Sequence, residues 1–185
     1  MNFDWDGVAM KGKNKKSIVG LIVLFACLFM FVQVSLAAVF RESEKELAGL
    51  KLYSMTLTDA ERIFGVPVSS EPISVKGPGK NGIINLMRTE FKRGIIASLV
   101  RDGKLWAIKV TDPIYPTSRG VKVGDSITEI YQAYGSPDGS GEFTHKWLNI
   151  QCIEHGYYMF EGYILVFVTD KSTQKIIEIG IHGFD

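Results

Sequence analysis

Three histidines, His145, His155 and His182, and one cysteine outside the hydrophobic N-terminal stretch, Cys152, are the side chains best suited to nucleophilic or metal chemistry in this chain. A cysteine nucleophile needs a base within hydrogen-bond reach and a local field that favours the thiolate. His155 lies three residues from Cys152, so a cysteine-dependent hydrolase is one reading, but a lone cysteine on an apolar strand reads better as a small buried hydrophobe. His155 itself falls in Glu154-His155-Gly156, which reads as a turn. His145 and His182 stand opposite the apolar alternation of their strands and read as partly exposed surface residues. No pair of histidines has the close spacing of a zinc site. Gly77-Pro-Gly-Lys-Asn-Gly82 lacks the Gly-Lys-Ser/Thr ending and following helix of a phosphate loop, and Gly139-Ser140-Gly141 lacks the Gly-x-Ser-x-Gly of a nucleophile elbow. No catalytic residue, metal ligand or cofactor is therefore assigned.

The elements that would position these residues come in two corresponding sets. Met55-Thr-Leu-Thr-Asp-Ala-Glu-Arg-Ile-Phe-Gly-Val-Pro67 and Asp125-Ser-Ile-Thr-Glu-Ile-Tyr-Gln-Ala-Tyr-Gly-Ser-Pro137 share one layout. Thr56 with Asp59, and Ser126 with Glu129, stand at capping-box spacing and mark helix starts. Leu57, Ala60 and Phe64, like Ile127, Ile130 and Tyr134, give each short helix one apolar face. Gly65 and Gly135 suit a left-handed C′ position, and Pro67 and Pro137 stop the helices. Strands are then expected near Pro72–Val75, Ile83–Phe91, Ile95–Arg101 and Lys104–Thr111, with Asp102-Gly103 as a hairpin turn. The second set is expected near Phe143–Ile150, Tyr157–Phe160, Tyr163–Thr169 and Lys175–His182. Trp106, Ile108 and Val110 alternate like Ile177, Ile179 and Ile181, so the last strand of each set buries the same face.

Before these sets, Ile18 to Phe40 runs 23 residues without a charge. As a helix it extends about 34 Å, enough to span a bilayer. Lys11, Lys13, Lys15 and Lys16 precede it, so the positive-inside bias puts the N-terminus in the cytoplasm and the C-terminal part outside. Ser35 and Ala37 also fit a signal-peptide cut after Ala37, which would secrete the same domain; the length of the apolar run favours an uncleaved anchor. The chain has 21 basic and 20 acidic residues, and the first 40 residues hold four lysines and two aspartates. The remainder is close to neutral, which argues against a general nucleic-acid binder.

The helix ending in Gly-x-Pro before an antiparallel sheet, repeated in tandem, resembles the β-lactamase-inhibitory-protein fold and the BamE outer-membrane lipoprotein family. The resemblance covers about Leu50 to the C-terminus. Thr117-Ser-Arg-Gly-Val-Lys-Val-Gly-Asp-Ser126 also resembles a segment common in exported bacterial proteins of unassigned role. It implies a protein-binding or envelope scaffold module and brings no catalytic residues, and the chain lacks the inhibitory protein's disulfide-forming cysteines.

The expected fold is α+β: two tandem repeats at 50–112 and 121–185, joined by a linker at 113–120, with helices on one sheet face. A cytoplasmic tail at 1–17, the transmembrane anchor or signal peptide at 18–40 and a juxtamembrane linker at 41–49 come first. The expected function is a non-catalytic, membrane-anchored extracytoplasmic module that binds a protein or envelope component. An extracytoplasmic sensor or small-ligand-binding domain is the alternative. Tyr163-Ile-Leu-Val-Phe-Val168 is apolar on both faces, and Trp106 and Trp147 add large rings nearby. Trp106, Trp147, Tyr163, Leu165 and Phe167 are accordingly the candidate binding residues.

Overall fold

The computed structural model of the chain describes residues 45–76, 82–99, 103–159 and 162–183. The expected tail at 1–17 and membrane segment at 18–40 lie outside the described residues, as do most of the Gly77–Gly82 loop and Asp102. Among the described residues, no helix is long and apolar enough to cross a membrane.

A short hairpin comes first, β1 (Glu46–Leu47) and β2 (Leu50–Lys51). Ala48 and Gly49 both take positive φ in its turn, 55° and 75°, as a tight two-residue hairpin requires. Leu47 and Leu50 are buried in the main core. The juxtamembrane linker expected at 41–49 is thus corrected: from Glu46 onward the chain belongs to the folded unit.

Helix α1 (Leu57–Phe64) leads into β3 (Ser69–Lys76), β4 (Ile83–Phe91), β5 (Ile95–Leu99) and β6 (Leu105–Val110). Helix α2 (Ile127–Tyr134) leads into β7 (Gly139–His145), β8 (Ile150–Met159), β9 (Tyr163–Asp170) and β10 (Ile176–Gly183). These eight strands form one sheet in the order β3-β4-β5-β6-β10-β9-β8-β7, every neighbouring pair antiparallel. The α+β expectation is corrected by this architecture. The described chain is mostly β, and apart from the β1–β2 hairpin its strands build a single continuous sheet instead of two separate α/β units. The reason is that β6 and β10 pair directly, Ile179 opposite Val110 and Ile181 opposite Ile108, so neither is left as an open edge. The helices are small, eight residues each, and each fully buries one side chain, Ala60 or Ile130.

Period-two alternation sends Ile95, Ala97, Leu99, Ile108, Val110, Leu165, Phe167, Ile179 and Ile181 to the helix-covered face, where they pack with Ala60 and Ile130. Each helix start is fixed to the last strand of its own half. Leu105 N–H donates to Met55 O at 2.9 Å and Ile176 N–H donates to Asp125 O at 2.8 Å. Both capping boxes form: Asp59 accepts the Thr56 backbone N–H at 2.9 Å, and Glu129 accepts that of Ser126 at 2.6 Å. These bonds to the ionised carboxylates hold both pKa values below the ordinary carboxylate range. Gly65 and Gly135 end the helices at φ 83° and 78° with ψ near −160°, a region open to glycine but not the left-handed one expected. The segment 113–120 is a loop, yet it is pinned: Thr117 is buried and accepts the Val121 N–H on its side chain at 3.2 Å.

Because each cap satisfies free N–H groups at a helix tied to the core sheet, Ser126→Ala and Thr56→Ala are each expected to destabilise the domain by about 1 kcal/mol in denaturant unfolding. Full retention of stability in both would contradict the role given to the caps.

Candidate binding site

The face of the sheet away from the helices carries the alternate residues of every strand. Cross-strand register places Glu71 opposite Arg88 on β3 and β4, and Glu90 opposite Ile96 on β4 and β5. Arg88 Nη1 lies 3.0 Å from Glu71 Oε1 and 3.6 Å from Glu90 Oε2, and Ser69 Oγ donates to Glu90 at 3.4 Å. Towards the centre, Lys109 Nζ of β6 meets Glu178 Oε1 of β10 at 2.7 Å.

The far wall comes from the other half of the chain. The β7–β8 turn, residues 146–149, brings Trp147 and Leu148 into the same cleft as Arg88 and Glu71, a space of about 610 Å³ also lined by His145, Ile177 and Glu178. The Arg88 guanidinium carbon sits 5.0 Å from the Trp147 ring centroid, within cation–π range. His145 is 6.0 Å from the same ring, and its Nδ1 accepts the Leu148 N–H at 3.3 Å, which fixes the turn. Trp147 is nevertheless 68% exposed and Leu148 55%.

Of the five candidate residues, only Trp147 is on an open surface. It stands in a turn instead of the strand expected at Phe143–Ile150, because β7 ends at His145. Trp106 is buried on the second face, packed with Leu86 and Ala107 and stacked on His182 with ring centroids 5.6 Å apart. It occupies a bulge, the one extra residue between the Ser98–Ala107 and Leu99–Leu105 pairs. Tyr163, Leu165 and Phe167 are corrected as surface candidates: all three are buried in the helix-covered core, at 1%, 1% and 0% exposure. Sequence reading missed Glu71, Arg88, Glu90, Lys109 and Glu178. The available signal was opposite charges at cross-strand positions, which becomes legible only once the register is known.

Cys152 and His155 do not meet. His155 is inside β8 and not in a turn, and three positions along a strand point to opposite faces. Cys152 packs with Val166 and Val168, and burial raises its pKa, the reverse of an activated thiol. His155 is buried on the helix side, with Nε2 3.1 Å from Thr169 Oγ1 and no partner at Nδ1.

No protein-family model matches the chain, and no curated protein matches it. Among solved structures, the uncharacterized protein YfeY from Escherichia coli is similar at a TM-score of 0.43 and 14% identity, over 76% of this chain and 97% of that one. A likeness this distant carries no functional argument.

Burial holds the pKa values of His155 and His182 below the ordinary histidine value, so the fold takes up their protons less readily than the unfolded chain, which does so near pH 6.5. Their contribution is intact above the unfolded value and is lost as pH falls through it towards the lower folded values. The melting temperature is expected to drop between pH 7.5 and about pH 5.5, a window above that of the hydrogen-bonded carboxylates, and His155→Leu is expected to flatten the drop. A melting temperature unchanged over that window would contradict the assignment.

Proposed function

We propose that the chain is a non-catalytic, membrane-anchored extracytoplasmic module that recognises a protein or envelope component through the cleft on the second sheet face. The anchor is the uncharged Ile18–Phe40 segment with its preceding lysines. The observation that carries the binding reading is Trp147: a large ring, mostly exposed, held by Arg88 and a hydrogen-bonded turn at the rim of a charged cleft. Tryptophan and arginine are the residues in which binding energy concentrates at protein interfaces. Leu148 extends the apolar rim, and the fixed turn lowers the ordering cost of presenting both side chains.

The cleft's charges favour a large partner over a small ligand. Arg88 is engaged by two carboxylates and Lys109 by a third, so these groups are already paired within the cleft. A partner would meet a pre-organised mixed-charge floor and an aromatic rim. The separation of Cys152 from His155 supports a binding role over a cysteine hydrolase. The sequence resemblance to inhibitory and envelope scaffold folds supports the same class.

A photo-crosslinking amino acid at position 147 of the full chain, in its native membrane, is expected to give a discrete adduct that is missing when the label sits at the exposed Thr173. With that partner in hand, Trp147→Ala is expected to weaken capture by at least about tenfold while the melting temperature holds. Identical adduct patterns from the two positions would reject the site.

A further inference from the structure

The two halves of the chain differ at the ends of their helices, where their layouts correspond. At the end of α1 and in the loop after it, Ile63, Val66 and Val68 are exposed by 45%, 83% and 64%. Seventy residues on, the same positions hold Ala133, Ser136 and Asp138. There the surface is polar and used internally: Asp138 accepts the Tyr158 N–H at 2.8 Å, and Arg119 donates to Ala133 O at 2.7 Å while its guanidinium covers the Tyr134 ring at 4.6 Å. In the first half the β1–β2 turn, Ala48-Gly49, lines an open cleft of about 610 Å³ together with Ile63 and Ile114, the latter 52% exposed. Ile63 and Ile114 thus share one open cleft, and Val66 and Val68 carry the exposed aliphatic surface on from the end of α1, where positions 133, 136 and 138 of the other half hold no large aliphatic side chain.

That cleft is also where the chain enters the folded unit. Glu46 and Ala48 line the cleft, and the five residue-to-residue steps from Phe40 to Lys45 reach at most about 18 Å. An anchored chain therefore holds this surface close to the bilayer it leaves. Exposed aliphatic side chains within that reach gain free energy by entering the boundary between headgroups and acyl chains. We infer that the surface bearing Ile63, Val66, Val68 and Ile114 rests on the lipid surface at the anchor, an inference that depends on the membrane-anchored reading above. The contact would orient the domain and fix the presentation of its binding face.

The test uses the full chain with Cys27→Ala, the buried Cys152 left in place, reconstituted in phosphatidylcholine–phosphatidylglycerol vesicles. An environment-sensitive nitrobenzoxadiazole label is placed at Val66→Cys, at Ile114→Cys as a second reporter, and at Ser136→Cys as the matched control. Blue-shifted emission at 66 and 114, with most of the intensity lost when brominated phosphatidylcholine is included and neither effect at 136, is the expected result. A chain that floats with the vesicles while all three labels remain water-like overturns the lipid contact and leaves the anchor standing. A blue shift at 66 without bromine quenching assigns the patch to a protein surface and overturns it as well. A chain that does not float with the vesicles overturns the anchor, and the inference falls with it.

Discussion

The pairing of β6 with β10 is the constraint on which the rest of the structure depends. Four residue pairs, from Ile179–Val110 to His182–Ala107, join strands about seventy residues apart in sequence and convert two four-stranded sets into one sheet. The pairing places Ile108, Val110, Ile179 and Ile181 side by side under the helices, all essentially inaccessible to solvent. Burying each such side chain contributes roughly 1.5–3 kcal/mol. Without the pairing, each half would present an open central strand rich in β-branched residues, an invitation to association.

The same pairing creates the candidate site. Arg88 and Glu71 belong to one half, Trp147 and Leu148 to the other, and they share a cleft because the sheet between them is continuous. Lys109 and Glu178 bridge the junction on that face, Glu178 nearly buried and Lys109 half exposed. An exposed ion pair adds little stability. Here its consequence is registry, since losing Lys109 would leave a largely buried carboxylate without its partner. The helices contribute from the other side: Met55 and Asp125, each just before an N-cap, accept from the first residues of β6 and β10, so the helix starts position the central strands as well as the helices.

Local features were readable in the sequence because their causes are local. Capping spacing at Thr56 and Ser126, the terminating glycines and prolines, and the alternation of Ile83–Phe91 each depend on a few neighbouring residues. What failed depended on parity or on distant pairing. Tyr163-Ile-Leu-Val-Phe-Val168 is apolar on both sides, so alternation separates its two faces without saying which one the helices cover. The odd-numbered set, Tyr163, Leu165 and Phe167, went inward. Gly156 suggested a turn around His155, yet it lies within β8 opposite Val166. Trp147 falls in a turn instead of the strand expected at Phe143–Ile150, and Asn149, at φ 52°, is the kind of residue that marks one. The charged floor of the cleft required a register that no single strand encodes.

Native-state hydrogen exchange across the two halves tests the central claim most directly. If the β6–β10 pairing makes the domain one cooperative sheet, the slow amides of β5 and β6 and those of β9 and β10 will open with a common free energy and a common denaturant slope, equal to those of global unfolding. Two sets of amides, one from residues 82–110 and one from 139–183, each opening with its own free energy and a smaller slope, would show two independently folding halves and contradict the account.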